Sequence, residues 1–380
     1  MLNVNIISSF FGTDGYSNNA RQFSNHLNKL DNIDVSITTN LPEDWLRRVN
    51  DEELKMIQRN RLDADVNLLI STPPSWEYYL CEDKKFIGMV VHEGDRIPKG
   101  WLNILEDERV TQIWVPSMHT KNAILNTLNQ TIKGVEHKGE SFCFHPDIAD
   151  KIKIVPHGVD LSIFEEQPKE ASDKFTFMMN KGWPSSWKDR GGISYGIKAF
   201  MEEFTKEDNA EMLVKINACY GVDLDKNIKD LDIQNTNKPK LNIVTDNITL
   251  SQLSTLYNKS DVFVTTSLAE SFNLPPLEAM ACGKPVLATE YGGQSDFVTE
   301  ENGWLLKEGE MKEVKWDIMY EDISWKYPSI KEIRKQMRYI YDNKNEVIEK
   351  SKIAIEDSKR WTWNNSAIKA KECLLELKIN

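Results

Sequence analysis

The chain contains no uninterrupted apolar run approaching 18 residues, so nothing in it reads as a membrane-spanning helix. Its opening, MLNVNIISSFFG, lacks the basic region, long apolar stretch and small-residue cleavage site of a secretory leader, and reads instead as a buried strand; no export is implied. Cysteine is scarce. Five of 380 residues, Cys81, Cys143, Cys219, Cys282 and Cys373, are widely spaced, odd in number and outside any C-x-x-C or Cys/His pattern, which argues against a disulfide framework or a metal cage and fits reduced core thiols in a cytoplasmic protein. Positive charge is also short: 47 Lys and Arg stand against 59 Asp and Glu, and the net charge of -12 repels phosphate backbones, so no nucleic-acid partner is expected. Contact with a membrane surface leaves too little trace in a sequence to be excluded.

What is present is length and alternation. A chain of 380 residues exceeds the size at which one core stops growing, so two domains are expected. Val/Ile-rich runs alternate with helical stretches, the pattern of parallel sheets covered on both faces, so the fold class is α/β. One series of strands is predicted at Asn3–Ser9, Ile33–Thr38, Val66–Ser71, Phe86–His92, Thr111–Val115 and Lys153–Pro156. A second is predicted at Phe175–Asn180, Glu211–Ile216, Leu241–Val244, Asp261–Thr265 and Pro285–Thr289. Between them Phe164–Lys174, FEEQPKEASDK, has the composition of a linker, which puts the domains at 1–165 and 173–358. The polar stretch Asn129–Asp150 reads as a surface excursion.

The most informative segment is TTSLAESFNLPPLEAMACGKPVLAT, Thr265–Thr289, read as strand, loop, helix and strand. Pro275 and Pro276 suit a first helical turn, where missing N–H groups cost nothing, so Glu270–Leu274 lies at the positive end of a helix, where phosphate is attracted. Glu270 in the loop and Glu278 one turn into the helix flank those donors and suit sugar and ribose hydroxyls. Glu270-x7-Glu278 followed by AMACGKPV closely resembles the E-x7-E signature of the family-4 retaining glycosyltransferases of GT-B fold. The resemblance implies two facing Rossmann-like domains with a cleft between them, and a last helix, in RWTWNNSAIKAKECLLEL at about 360–380, crossing back to the N-terminal domain. It places Glu270 beside the donor sugar and Glu278 on the ribose, with Ser271, Phe272, Asn273 and Leu274 lining the donor. Ser271 and Asn273 stand where the family most often has glycine; asparagine tolerates left-handed backbone, so the turn is expected to survive.

A second segment, FMMNKGWPSSWKDRGGISYGIKAF, puts Lys181, Lys188 and Arg190 in one loop before a helix from about Gly192, and its spacing resembles the family's G-R...K-G element. Lys181 and Lys188 would then stand for that arginine and lysine on the pyrophosphate, with Arg190 as a further donor contact and Lys188 as the chief stabiliser of the departing phosphate. In SSFFGTDGYSNNARQFSNHL, Gly12 and Gly15 frame a loop before a helix near Ser17; by itself this is neither a dinucleotide fingerprint nor a Walker loop. The resemblance sets it against donor and acceptor, with Asp14 and Tyr16 on the acceptor side. His92, opening HEGDRIPKGW at a strand's carboxyl edge, is assigned to the donor sugar by the same resemblance, and Glu93 and Asp95 are near enough in sequence either to meet the acceptor or to orient His92. IWVPSMHTKNAI at Ile113–Ile124 and IVPHGVDLSIF at Ile154–Phe164 extend the resemblance over nearly the whole chain.

The implied reaction is transfer of a hexosyl unit from a nucleotide-diphosphate sugar, UDP- or GDP-linked, to a glycan, lipid or small-molecule hydroxyl with retention of configuration. No cofactor is expected. The D-x-D sequences Asp63–Asp65 and Asp223–Asp225 do not follow predicted strands, so no metal is expected either. The alternatives are an epimerase, glucan synthase or phosphorylase on the same fold, or a nucleotide-sugar-binding protein without catalysis. Trp45, Trp76 and Trp101 are read as packing residues rather than sugar platforms.

Overall fold

The computed structural model describes residues 1–12, 15–39, 49–133, 147–168, 174–217, 221–315, 317–320 and 322–377. Asp14, Trp45, Cys143 and Cys219 lie outside the described residues, as does most of the polar stretch after Asn129. The chain divides into two compact units, Met1–Gly158 with Trp363–Asn380, and Val159–Thr362.

In the first unit, β1 (Leu2–Ile7), α1 (Gly15–Leu27), β2 (Ile33–Thr38), α2 (Asp51–Gln58), β3 (Val66–Ile70), β4 (Lys85–Met89), α3 (Leu102–Glu106), β5 (Val110–Val115), α4 (Met118–Lys133), α5 (Asp147–Lys151) and β6 (Ile152–Ile154) follow in chain order. The strands form one parallel sheet in the order β2-β1-β3-β4-β5-β6, with Val4 opposite both Val35 and Val66. All five residues of β3 are buried, as apolar runs covered on both faces require. Trp76 lies flat over Gly88: a β-carbon there would come within 2.2 Å of the indole. Trp76 and Trp101 are both buried.

In the second unit, β7 (Phe175–Lys181), α6 (Ile193–Glu203), β8 (Ala210–Ile216), α7 (Leu224–Asp230), β9 (Lys240–Val244), α8 (Leu250–Lys259), β10 (Val262–Thr265), α9 (Leu274–Ala281), β11 (Val286–Thr289) and β12 (Gly303–Leu306) build a second sheet, ordered β12-β11-β10-β7-β8-β9. An antiparallel ribbon, β13 (Gly309–Glu313) with β14 (Ser324–Pro328), stands outside it, and α10 (Ile330–Asp342) and α11 (Lys344–Ser358) follow. The last helix, α12 (Trp363–Leu375), belongs to the first unit: Gln112 Nε2 donates to the Cys373 carbonyl at 2.9 Å and Lys371 Nζ to the Asp31 carbonyl at 2.8 Å.

Several details differ from the sequence reading. The chain passes to the second unit at Gly158–Val159, ahead of the charged stretch, because Val159 and Phe164 are already buried in that unit's core. β12 and the ribbon were not foreseen: a leading glycine hides the first, and exposed alternating charge hides β13. β4 ends at Met89, so His92 lies three residues beyond the strand rather than at its end. Helix α1 begins at Gly15, not near Ser17. Asp65 accepts from the Asn3 N–H and Asp223 caps α7, so both D-x-D sequences have structural work.

Candidate donor site at the sheet switch point

In the second sheet the strand order reverses between β7 and β10, and beyond the carboxyl ends of such a pair is where open α/β sheets bind ligands. Lys181 is the last residue of β7, and the loop Thr266–Asn273 leaves β10 for α9. Pro275 and Pro276 occupy the first turn of α9, and Asn273 caps it with φ of 75°, the left-handed geometry expected of it.

The loop is fixed by backbone on three sides. Leu268 N–H donates to the Arg190 carbonyl at 2.9 Å, Gly293 N–H to the Glu270 carbonyl at 2.8 Å, and Lys326 N–H to the Leu268 carbonyl at 3.0 Å. The approach is close enough to require glycine twice. A β-carbon on Gly192, at φ of 69°, would lie 1.9 Å from the Thr266 carbonyl oxygen, and one on Gly293 would lie 2.1 Å from that of Ser271. Neither glycine was singled out in the sequence, although each belongs to a Gly-Gly pair, Gly191–Gly192 and Gly292–Gly293, in a loop before a helical turn.

Glu270, buried, is clamped by two cations. Lys181 Nζ lies 2.9 Å from one carboxylate oxygen and Arg190 Nη1 3.0 Å from the other, while Lys181 also donates to Asn273 Oδ1. Burial pushes the Glu270 carboxyl upward, but the charges of Arg190 and Lys181 outweigh it and hold the group below its usual value. Asp189, beside Arg190, accepts from the N–H groups of Gly191 at 3.0 Å and Ile193 at 2.9 Å, and so fixes the entry to α6. Burial raises it to about 7.

Glu278 is held differently. Its carboxylate accepts from the Tyr257 hydroxyl at 2.8 Å, and that oxygen accepts from Asn180 Nδ2 at 2.9 Å. Asn180 and Lys181 are successive residues of one strand, which point to opposite faces, so β7 serves Glu278 through one and Glu270 through the other. Burial lifts Glu278 to about 7, partly opposed by Tyr257 and Lys181. Because this folded value exceeds the ordinary one of 4.5, the native state takes up a proton the unfolded chain does not, and stability attributable to the group falls as pH rises from 4.5 through about 7. Glu278→Gln is therefore expected to raise the melting temperature at pH 8 and change it little at pH 4.5; equal shifts at both would contradict this.

The other expected residues are placed as follows. Ser271 is buried in the loop, Leu274 opens α9, and Phe272 turns its ring into the core against Phe297 and Trp361, 5.3 and 6.0 Å away, leaving only its backbone toward the loop. Lys188 is exposed and is not among the groups touching Glu270, whereas Arg190 is. In the first unit, Gly12 is buried and its carbonyl, with that of Phe10, accepts from Arg21 Nη1 at 2.7 Å, a tie no motif signalled. Gly15 is exposed with open space around it, so no close approach demands glycine there. The Tyr16 hydroxyl reaches the Val91 carbonyl at 3.5 Å, which brings it beside the His92 segment. His92 is buried, with Nε2 2.6 Å from the Arg96 carbonyl and its ring edge-on to Trp101; Glu93 is half-buried, and Asp95 pairs with Arg96 at 3.6 Å.

Comparison with known proteins places this geometry. Residues 203–320 match the sequence model of the family Glycosyl transferases group 1, a stretch that includes Glu270 and Glu278 and stops short of Lys181 and Arg190. The D-inositol 3-phosphate glycosyltransferase of Paenarthrobacter aurescens is 26% identical over 196 residues, 49% of this chain and 45% of that protein. The chain spans about half the length of the curated relatives it matches, or less. Among solved structures, Anabaena HepE in complex with UDP and glucose superposes with a TM-score of 0.66 at 15% identity, covering 99% of this chain and 100% of that one. A glycosyltransferase from Rickettsia africae superposes equally, with a TM-score of 0.66 at 15% identity over 99% and 98% of the two chains. No helix among the described residues is long and apolar enough to cross a membrane. Residues 203–320 are therefore similar to the glycosyl transferases group 1 family, in a chain with the two-sheet GT-B fold.

Proposed function

We propose that the protein is a retaining glycosyltransferase that moves a hexosyl unit from a UDP- or GDP-sugar to an acceptor hydroxyl without a metal ion. The observation that carries this is the cluster of Lys181, Arg190 and Glu270 at the switch point. Two cations against one ionised carboxylate leave net positive charge beside the amino end of α9, where a diphosphate leaving group develops its negative charge. The cations meet that charge without a divalent ion. Glu270, held ionised by two partners, is too weakly basic and too firmly tied to act as a nucleophile, which favours attack on the same face as departure, with the leaving phosphate taking the acceptor proton. Glu278 receives the ribose hydroxyls, and the backbone of Ser271–Leu274 lines the diphosphate. The family resemblance assigns His92 and Gly12 of the first unit to the donor and Tyr16 and Glu93 to the acceptor, a glycan, lipid or small molecule.

The test is thermal stabilisation by UDP, GDP, ADP and their sugar conjugates in EDTA, followed by product analysis of the sugar that stabilises. One nucleotide series is expected to stand out, since a ligand at 100 times its dissociation constant adds about 2.7 kcal/mol. Absence of stabilisation by every nucleotide, with or without magnesium or manganese, would overturn the donor site. Donor consumption without an acceptor would replace transfer by epimerisation, and binding without turnover would leave a sugar-nucleotide receptor.

A further inference from the structure

Tyr257 carries no role in the sequence motifs, yet it is fully buried and its hydroxyl is the hydrogen-bond partner of Glu278. It comes from α8, outside the loop and helix that hold the two glutamates, and its ring packs against Phe164 and Phe263, with centroids 5.9 and 5.7 Å away. A fully buried ring held against two aromatic neighbours is confined by close packing, so the hydroxyl is placed to fix the carboxylate. The direction of the chain is set one step further back. Asn180 donates to the tyrosine oxygen, which leaves the phenolic proton to go to Glu278, and Asn180 itself is anchored in the central strand of the sheet.

We propose that Tyr257, oriented by Asn180, is the positioning residue that holds one oxygen of Glu278 so that the other meets the ribose hydroxyls of the donor. This rests on the reading of Glu278 as the ribose ligand. Glu278 is useful there as an acceptor-only carboxylate, and donation from Tyr257 works with Lys181 against the effect of burial on its ionisation. The titratable and charged groups bearing on Glu278 and Tyr257 are Lys181 of β7 and the Cys282 thiol at the end of α9, the latter raised by burial to about 11 and so neutral. Tyr257 is itself held well above its ordinary value, chiefly by burial, and stays a donor throughout the working range.

The experiment compares binding of UDP and 2′,3′-dideoxy-UDP, or the guanosine pair if GDP is the stabilising nucleotide, to the wild type, Tyr257→Phe, Asn180→Ala and Glu278→Gln, with donor KM and kcat measured against pH. The wild type is expected to prefer the ribonucleotide, Tyr257→Phe to lose roughly tenfold of that preference, as loss of a hydrogen bond to a charged group implies, and Asn180→Ala to lose a smaller share. Donor KM should rise with kcat nearly unchanged, because the ribose contact is equal in ground and transition states. The pH above which KM improves should move upward in Tyr257→Phe. A purely structural hydroxyl would lower the melting temperature and leave the preference for the ribonucleotide intact; that result in both variants overturns the proposal. If Glu278→Gln also keeps the full preference, the ribose reading fails, and the proposal with it; if Glu278→Gln loses it while the other two keep it, only the proposal fails.

Discussion

Arg190→Ala is expected to lower turnover on the order of a hundredfold or more, the cost of one preorganised group aimed at developing charge, while Lys188→Ala leaves it within about threefold. Both residues sit in one loop, two positions apart, and both are cations. What separates them is placement. Arg190 touches Glu270 and the Ala269 carbonyl, and its own carbonyl holds the Leu268 N–H, so its guanidinium is held in place, as the proposed leaving-group role requires. Lys188 is exposed, and a mobile ammonium in water gives up the orientation on which such stabilisation depends. Steady-state kinetics of the two variants settle the matter. An equal loss in both, or a loss only in Lys188→Ala, would return the leaving-group role to Lys188. Arg190→Lys should recover only part of the rate, since a lysine ammonium lacks the rigid planar guanidinium whose Nη1 is held by both Glu270 and the Ala269 carbonyl.

Gly293→Ala is expected to abolish measurable donor binding and to destabilise the protein by ~1–3 kcal/mol, the usual range for forcing atoms into a filled space. The added methyl would meet the Ser271 carbonyl oxygen at 2.1 Å and the Phe272 Cα at 2.5 Å, both backbone atoms that cannot swing aside. Relief must come from moving the loop or breaking the bond from Gly293 N–H to the Glu270 carbonyl, and either displaces Glu270 from its two cations. Thermal unfolding gives the stability cost and titration with the stabilising nucleotide gives the affinity. Unaltered affinity would show that the loop tolerates displacement and that its path does not govern the site.

The sequence carried every strand of the two six-stranded sheets except β12, because most of them are short apolar runs bounded by polar turns, and it carried the Glu270 loop because prolines and an asparagine at those positions have few alternatives. The cap at Asn273 follows from the residue itself. That Arg190 and not Lys188 touches Glu270 was not legible, because loop spacing fixes which residues are near and not which one the backbone turns inward. Tyr257 and Asn180 were not legible either. They lie far from Glu278 in sequence, on a helix and a strand whose apolar pattern accounts for them without any function. Gly192 and Gly293 carry no chemistry, and their need for glycine is visible only when the facing backbone is in place. For Phe272 the motif names the residue, and only the folded core shows that its ring packs against Phe297 and Trp361.

The ribbon of β13 and β14 has a further consequence. It shares no strand pairing with either six-stranded sheet, yet Val314, Ile323 and Trp325 pack on Leu268 and Ala269, and Lys326 donates its N–H to the Leu268 carbonyl. A chain that ran from β12 straight into α10 would keep every strand pairing of the second sheet and strip the cover from the two residues ahead of Glu270. The requirement for folding and the requirement for holding one loop still are thus written in different stretches of sequence, and the ribbon is where the second can change while the first stays as it is.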